Sequence, residues 1–209
     1  EELIPLAPLH NPGNLSGIRV ARKLFAKATH CAVLDTAFHQ TMPAKAYRYA
    51  IPAEFYEKNG VRAYGFHGIS HKFVDGEARK LLNKPNAKNI TIHIGNGASM
   101  SAVNTEGKCV DTSMGFTPLD GLVMGTRCGQ IDPGVIFYMG SQLGLSNDEI
   151  NTILNKKSGM LGVSGYSDAR DVSDKYHTGD ANAILCYEMY AYRIKKFIGA
   201  YTAALNGLD

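Results

Sequence analysis

The chain has 209 residues, 44% of them hydrophobic and 20% charged, and its 22 basic and 19 acidic residues give a formal net charge of +3. This composition is typical of a globular protein with an ordinary core. Since the charges form no block and no apolar run approaches about 20 residues, we expect no nucleic-acid partner and no membrane association. The four cysteines form no CxxC pair, which argues against a zinc framework or a disulfide scaffold and favours a reduced, cytoplasmic setting.

The first third of the chain alternates helical and irregular patterns. Apolar residues at helical spacing predict a helix over residues 14–28. The apolar run 31–34 predicts a short buried strand that ends at Asp35. Residues 36–65 are aromatic-rich and interrupted by prolines, which predicts an irregular segment, and a second helix is predicted over residues 70–82.

The middle of the chain is rich in β-strand signals. Three short runs, 90–94, 100–104 and 109–112, are separated by glycine-containing connections. Short strands joined by tight turns are typical of an antiparallel meander. The segment 115–134, which follows, contains five glycines, so we predict a functional loop or a broken helix there.

Three helices are predicted in the last third, over residues 133–143, 147–156 and 181–205. Ser146 is expected to cap the second of them. The charged segment 167–171 is expected to be a solvated loop that starts a helix. The predicted buried side of the longest helix consists of Ile184, Leu185, Met189, Tyr192, Ile198 and Ala203.

The segment 91–99 (TIHIGNGAS) is the most informative part of the chain. A β-branched run meets two glycines that flank an asparagine, and small hydroxyl residues follow. Glycine permits a sharp turn and removes the Cβ that would keep a phosphate away from the backbone N–H groups. The pattern therefore predicts a protein that handles phosphoryl groups.

Three other side chains lie in contexts that suggest chemistry. Asp35, at the end of a predicted strand, could hold Mg²⁺ through water or merely close an Asx-turn. His67 lies near two glycines before a helix, which favours a ring that faces a ligand, whereas His71, four residues later, is expected to be structural. Arg127 lies in a glycine-rich loop, where its planar guanidinium could reach phosphoryl oxygens or simply be solvated.

Six motifs, taken in order along the chain, resemble the acetate kinase family. They are LHNP at 9–12, DTAFHQTMP at 35–43, YGFHG at 64–68, HIGNG at 93–97, DTSMG at 111–115 and MGTR at 124–127. Related short-chain carboxylate kinases such as propionate kinase share them. The resemblance covers the whole chain and implies an α/β fold of the sugar kinase/Hsp70/actin (ribonuclease H-like) type, with a cleft between two domains.

The resemblance also implies a domain division, a partner and a reaction. Residues 1–36 would be the C-terminal remnant of an N-terminal domain, and residues 37–209 a C-terminally truncated nucleotide-binding and dimerisation domain of a homodimer. The reaction would be reversible transfer of the γ-phosphoryl group of ATP to acetate, with Mg²⁺, giving ADP and acetyl phosphate. The family's N-terminal phosphate loop and its adenosine loop are not among these 209 residues, which alone are therefore expected to be inactive.

By motif position, the resemblance assigns roles to individual residues. Asp35 would be the active-site acid near the metal, and no metal ligand is assigned beyond its contact through water. His67 and Arg127 would stabilise the transferred group. The acetate pocket would contain Leu9, His10, Phe66 and Pro118. The nucleotide would be bound by His93, Ile94, Gly95, Asn96, Gly97, Asp168, Ala169 and Arg170. Since an acetate carboxylate is already ionised at neutral pH and needs no general base, Asp35 is better assigned as a metal organiser than as a proton shuttle.

Two departures and several alternatives remain open. Ile69 replaces the family's usual Thr, and Gln130 replaces its usual Asp close to Arg127. A preference for propionate or another short-chain acid is possible, because one methylene changes binding by only about 1–3 kcal/mol. A non-catalytic dimerisation or nucleotide-binding module is the alternative from another class, although the presence of Asp35 and His67 with Arg127 argues against it. A hydrolase is disfavoured because the chain has no GxSxG elbow.

Overall fold

The computed structural model describes residues 1, 4 and 11–209. In chain order the described elements are α1 (Asn11–Leu24), a 3₁₀ turn (Ala37–Thr41), α2 (Ala44–Tyr47), α3 (Glu54–Asn59), α4 (Gly68–Leu81), β1 (Asn89–Ile94), β2 (Ala98–Val103), β3 (Cys109–Thr112), α5 (Pro133–Ser141), α6 (Asn147–Lys156), α7 (Gly159–Ser164), α8 (Ala169–His177) and α9 (Ala181–Ala204). In the part of the chain that the structure describes, no helix combines the length and the hydropathy needed to cross a bilayer.

The predicted antiparallel meander is confirmed. The strand order is β1-β2-β3, and β1 pairs with β2 in a register that places His93 opposite Ser99 and Ile94 opposite Ala98. These two strands are connected by residues 95–97, the predicted turn, which we call the glycine turn. In it the Gly95 amide donates a 2.9 Å hydrogen bond to the Gly97 carbonyl. The turn therefore projects from one end of the sheet.

The two faces of the sheet differ in chemistry because alternate residues of a strand point to opposite sides. Every residue of β2 is buried, so both of its faces are covered. One face is apolar and packs against α9 in the main core. The members of this core are Ala98, Met100, Ala102, Met114, Leu122, Met124, Tyr201 and Leu205. The opposite face carries Ser99 and Thr91, whose hydroxyls bond to His71 of α4. The candidate site is built from this polar layer.

The predicted buried side of the longest helix is wrong for four of its six residues, whereas Ile184 and Met189 are half-buried. Leu185, Tyr192 and Ile198 of α9 are exposed, while Ala183, Cys186 and Tyr201 are buried. Partly buried Tyr190, Ile194 and Phe197 complete the stripe that packs against the core. Both sides of α9 carry apolar residues, so the spacing of apolar residues does not indicate which side faces the sheet. The small side chains of Ala183 and Cys186 lie where α9 packs against α7 and α8.

The predicted buried strand over residues 31–34 is also wrong. These residues have no regular secondary structure, and Val33 and Leu34 are 71% and 63% exposed. A strand forms only where a neighbour satisfies its backbone groups. Among the described residues the sheet contains β1, β2 and β3 alone, so an apolar run near Asp35 has no pairing partner there.

The remaining helices agree with the sequence patterns in part. The structure confirms α1, α4, α5, α6 and α9 with shifts of a few residues at their ends, and Ser146 caps α6 in a capping box with Glu149. The segment predicted to be irregular contains α2 and α3, and the last third contains α7 and α8 in addition to the three predicted helices. Helices of four or six residues are too short for an apolar period to develop. The 167–171 segment does begin a helix, since Asp168 caps α8.

Candidate active site

Helix α4 covers the polar layer of the sheet, and its N-cap residue has unusual backbone angles. His67 is the N-cap of α4 and lies in the left-handed region, with φ +59° and ψ +24°. Its backbone amide donates a 2.6 Å hydrogen bond to Oδ2 of Asp35, and the Gly68 amide donates a 2.9 Å bond to the Asp35 carbonyl. A Cβ on Gly68 would overlap that carbonyl, so the close approach requires glycine. Left-handed non-glycine residues cluster at functional sites, because the surrounding contacts must hold them there.

The glycine turn lies against two side chains that are far apart in the sequence. A Cβ built on Gly97 would lie 2.5 Å from Nη2 of Arg127 and 3.4 Å from Nε2 of His67. The guanidinium and the imidazole therefore border the same space beside the turn. Nη1 of Arg127 donates a 2.7 Å hydrogen bond to the Pro118 carbonyl, which fixes the direction of the guanidinium.

Arg127 is buried, and none of the described residues forms a salt bridge with it. Burial lowers the pKa of its guanidinium, but an arginine stays protonated in proteins. A charge taken out of water without a counter-ion is costly unless a ligand supplies one. The position of Arg127 therefore indicates an anionic ligand at the glycine turn.

Four imidazoles lie close together behind this space. The rings of His67 and His93 are stacked with centroids 4.1 Å apart, and His71 is 6.5 Å from the first and 6.4 Å from the second. His39 lies 5.8 Å from His71. Nδ1 of His93 is 2.9 Å from the hydroxyl of Ser70. The stack fixes the ring plane of His67.

His67 and His71 are neutral at physiological pH. Burial lowers the pKa of His67 to about 4, with smaller contributions in the same direction from His93 and Arg127, and Asp35 opposes them. Burial also lowers the pKa of His71 to about 3, and the imidazoles of His39, His67 and His93 add to the shift. At this site the positive charge is therefore carried by Arg127, and His67 acts as a neutral hydrogen-bonding group.

The loop that carries Arg127 also contacts the glycine turn through Gly125. The Gly125 amide donates a 3.3 Å hydrogen bond to the Asn96 carbonyl, and a Cβ at Gly125 would lie 2.7 Å from Asn96 Oδ1 and 2.8 Å from the Ser167 carbonyl. The residue after Ser167 is Asp168, which accepts a 2.8 Å bond from the Arg170 amide at the start of α8. The start of α8 is thereby linked to the glycine turn.

The structure brings together part of the residue set that the sequence predicts. Around the glycine turn lie Asp35, His67, His93, Asn96, Gly97, Pro118 and Arg127. Phe66 packs partly buried against the main core, and its carbonyl accepts from Nε2 of His39. Ile94 is 57% exposed at the end of β1, and Gly95 is exposed in the turn. Leu9 and His10 lie outside the described residues.

Asp168 is the half-buried N-cap of α8, and Ala169 and Arg170 are exposed in its first turn. The Arg170 side chain pairs with Asp168 at 2.6 Å and holds the pKa of that carboxyl at about 2. Both side chains are therefore charged at neutral pH. Their connection to the glycine turn is indirect: the neighbouring Ser167 carbonyl lies against Gly125, and the Gly125 amide bonds the Asn96 carbonyl of the turn.

Sequence reasoning included Ser99 and Gly125 in its motifs but assigned neither of them a role, and it treated His71 only as structural. His71 is indeed buried, and its two ring nitrogens lie 2.8 Å from the Thr91 and Ser99 hydroxyls. Ser99 also lies 2.7 Å from Nδ1 of His67. The predicted hairpin could have identified Ser99, because tight pairing across the glycine turn places Ser99 opposite His93.

The two departures from the motifs lie at exposed positions. Gln130 is exposed, and its backbone amide donates a 2.9 Å hydrogen bond to the Gly121 carbonyl, a contact that any residue but proline can make. Ile69 is 52% exposed and, with Phe38 and Phe73, lines a groove of about 770 Å³ between α4 and the segment that follows Val33. The structure gives no reason for the Ile at position 69.

The side chains at the site could bind Mg²⁺ only together with a nucleotide. No group of three or more His, Cys, Asp or Glu side chains within the described ranges is arranged to hold a metal. Mg²⁺ bound with a nucleotide commonly takes one or two carboxylates, water and phosphate oxygens. Asp35 could supply such a carboxylate, since its second oxygen is not used by the His67 amide.

A glycine turn, the neutral imidazoles of His67 and His71 and a buried cation that has no salt bridge among the described residues form a site suited to an anion, on an α/β fold. The family model described as the acetokinase family matches residues 1–209. The chain belongs to the acetokinase family.

Relatives and solved structures agree with this assignment. The chain is 56% identical to an acetate kinase of Carboxydothermus hydrogenoformans and 57% identical to one of Thermotoga maritima, and it covers 53% of each. An acetate kinase structure from Porphyromonas gingivalis superposes with a TM-score of 0.93 at 50% identity, over 53% of that chain. A propionate kinase structure from Francisella tularensis gives 0.96 at 49%, over 54%. Each comparison covers 100% of this chain, which confirms the predicted fold class and shows that the chain spans about half the length of its relatives.

Proposed function

We propose that the gene product containing this chain transfers the γ-phosphoryl group of ATP to acetate, reversibly, to give ADP and acetyl phosphate. The observation that carries the proposal is the buried Arg127 beside Nε2 of His67 at Gly97, a cation without a salt bridge among the described residues. The names of the 53–57% identical relatives support the same reaction.

Phosphoryl transfer needs positioning and charge stabilisation more than covalent chemistry. The transition state is metaphosphate-like, and its charge is spread over three equatorial oxygens. In this proposal the guanidinium of Arg127 and the neutral imidazole of His67 donate hydrogen bonds to those oxygens. Their positions are fixed before the reaction by Pro118 and by the His93 stack, so little reorganisation is needed. The acetate oxygen attacks in line as an ionised carboxylate, without a general base.

Asp35 has two tasks in this proposal. Its Oδ2 holds the amide of His67 and hence the start of α4. Its other oxygen, directly or through water, would hold the Mg²⁺ that accompanies ATP. The metal would supply neutralisation of phosphate charge. Asp35 does not carry a proton in the reaction.

We assign the remaining residues to the two ligands. The nucleotide phosphates lie against the turn of His93, Ile94, Gly95, Asn96 and Gly97 and against Asp168, Ala169 and Arg170. Acetate lies beside Phe66 and Pro118, with Leu9 and His10 completing the pocket. Support comes from the exposed backbone of the turn and from its link to the start of α8 through Gly125.

We further propose a cytoplasmic homodimer whose domain boundary follows residue 36. Support for dimerisation comes from apolar side chains that stay exposed on helices of residues 37–209. These include Leu185 and Tyr192 of α9, 51% and 61% exposed, and Phe137 of α5, 73% exposed. Sedimentation equilibrium of the gene product checks the dimer.

Propionate is the second candidate acceptor. The observation that favours it is that a propionate kinase structure is about as similar to this chain, at 49% identity, as an acetate kinase structure at 50%. A module that only dimerises is disfavoured, because it has no need of a buried Arg127 that forms no salt bridge with the described residues.

The test is the formation of acyl phosphate from ATP and Mg²⁺ with acetate or propionate. We expect the gene product to form acetyl phosphate with the higher kcat/KM. The 209 residues alone are expected to form none, since they span about half the length of the relatives. Absence of acyl phosphate with either acid would contradict the proposal, and a higher kcat/KM for propionate would establish the second candidate.

A further inference from the structure

The hydroxyl of Ser99 lies between two imidazoles. Ser99 is fully buried in β2, and its Oγ is 2.7 Å from Nδ1 of His67 and 2.8 Å from Nε2 of His71. The other nitrogen of His71, Nδ1, is 2.8 Å from the hydroxyl of buried Thr91. A continuous chain of hydrogen bonds therefore runs from Thr91 through His71 and Ser99 to His67.

The proton count permits two directions for this chain. A serine hydroxyl has one proton, so it donates to one imidazole and accepts from the other. In the first direction Thr91 donates to His71, His71 donates to Ser99, and Ser99 donates to Nδ1 of His67. A neutral His67 then carries its proton on Nε2. In the second direction every bond is reversed, and Nε2 of His67 is a bare acceptor.

Only the first direction suits a phosphoryl oxygen. Nε2 of His67 is the nitrogen that faces Gly97 and Arg127. An anionic oxygen placed there can only accept a hydrogen bond, so a bare Nε2 would repel it. The stack on His93, 4.1 Å away, holds the ring plane, so the tautomer is the variable left to be set. Hydrogen bonds that point the same way along a chain polarise one another.

We propose that Ser99 is a positioning residue that, together with His71 and Thr91, holds His67 as the Nε2–H tautomer, so that His67 presents a donor to the phosphoryl group. The inference rests on the proposed function, because the need for a donor comes from the phosphoryl oxygen. Without the Ser99 hydroxyl, Nδ1 of His67 loses its donor, and the Nδ1–H tautomer becomes populated.

The direct test is ¹⁵N NMR of histidine-labelled protein, with the His67 signals assigned by their loss in His67→Gln. The 209-residue chain and the gene product are both measured at neutral pH with inorganic phosphate. We expect His67 to show a pyridine-type Nδ1 and a pyrrole-type Nε2, and Ser99→Ala to move both signals toward the opposite tautomer. A pyrrole-type Nδ1 in the unmodified protein, or unchanged signals in Ser99→Ala, would overturn the inference.

Ser101→Ala is the matched control. Ser101 is equally buried two residues along β2 on the same face, but its hydroxyl bonds Thr112 at 3.1 Å and forms no hydrogen bond with a described histidine. Its removal should leave the His67 signals unchanged. Where Ser99→Ala does not fold, Thr91→Val removes the hydroxyl at the far end of the chain with little change of shape and should move the same signals in the same direction. Unchanged His67 signals in Thr91→Val would then overturn the inference.

Kinetics provide a second readout. In the gene product we expect Ser99→Ala to lower kcat about tenfold. The KM values for ATP and acetate should change less than twofold, and Ser101→Ala should alter none of these constants. Unchanged kcat in folded Ser99→Ala would count against the inference. Because the NMR result does not depend on turnover, an inactive protein with the Nε2–H tautomer would contradict the proposed function alone.

Discussion

The backbone amide of His67 donates a 2.6 Å hydrogen bond to Oδ2 of Asp35, 32 positions earlier in the chain. One carboxylate oxygen thus anchors the left-handed N-cap of α4, while the other remains available to a ligand. The structural role of Asp35, which is to hold the His67 amide, and its electrostatic role toward a ligand can be separated by mutation.

Asp35→Asn keeps an oxygen acceptor for the His67 amide but removes the charge. We expect kcat of the gene product to fall at least about 100-fold, with the melting temperature within about 2 °C of the parent protein. Asp35→Ala also loses the acceptor and should cost about 1–2 kcal/mol of unfolding free energy in addition. Steady-state kinetics with thermal melts check both variants, and a kcat near that of the parent protein in Asp35→Asn would show that the charge has no role.

Gly97→Ala tests the space that Arg127 and His67 share. The added methyl would lie 2.5 Å from Nη2 of Arg127, at the far end of a long side chain, so it would push the guanidinium out of its position while the fold survives. We expect kcat to fall about 100-fold with little change in the melting temperature. The control is Gly76→Ala in the interior of α4, where a Cβ meets nothing within 4 Å. It should keep full activity and gain about 0.5–1 kcal/mol of stability. Equal kcat values for the two variants would refute the shared site.

Gly159 and Gly165 separate steric overlap from backbone strain. Both have positive φ, +63° and +85°. A Cβ at Gly159 would overlap the Met124 carbonyl and lie 2.6 Å from the Arg127 carbonyl, whereas a Cβ at Gly165 meets nothing within 4 Å. We expect Gly159→Ala to cost about 3 kcal/mol or more, and Gly165→Ala about 1 kcal/mol. Urea denaturation measures both, and equal costs would mean that the Arg127 loop can move away from α7.

Several of these features follow from local sequence, and others do not. The meander follows from short β-branched runs with glycine turns, and the cap of α6 follows from Ser146 and Glu149. The failure at residues 31–34 arises because strand pairing depends on distant residues. The exposed Leu185 and buried Ala183 of α9 could not be distinguished by period, since both sides of the helix are apolar.

The same limit applies to the site. The motifs mark His67 and Arg127 individually, but their meeting at Gly97 depends on how α4, the hairpin and the long loop pack. Ser99 is missed because a serine in a strand has no distinctive signal. Its contacts with His67 and His71 exist only once α4 covers the polar face of the sheet.

The buried histidines predict a loss of stability in acid. Their pKa values, about 4 for His67 and about 3 for His71, lie below the unfolded value of 6.5, so the unfolded chain binds more protons as the pH falls below about 6.5. The stability is therefore fully present above that pH and declines toward pH 4 and pH 3, by up to about 1.4 kcal/mol per pH unit for the well-buried His71.

Measurements between pH 7 and pH 5 are the most informative. Burial raises the pKa values of Asp111 and Asp120, which stabilises the folded protein at lower pH and would mask the effect there. Urea denaturation of His71→Asn should give a less stable protein with a shallower pH dependence. A slope equal to that of the parent protein would show that His71 does not cause the acid sensitivity.

The most direct test of phosphoryl stabilisation at the glycine turn is kcat for acetyl phosphate formation by the gene product and by Arg127→Ala. We expect Arg127→Ala to lower kcat about a thousandfold. Arg48→Ala, which removes a cation stacked 4.0 Å from the Tyr56 ring centroid, should change kcat less than twofold. An Arg127→Ala protein that folds and keeps more than a tenth of the parent kcat would contradict the assignment of this site.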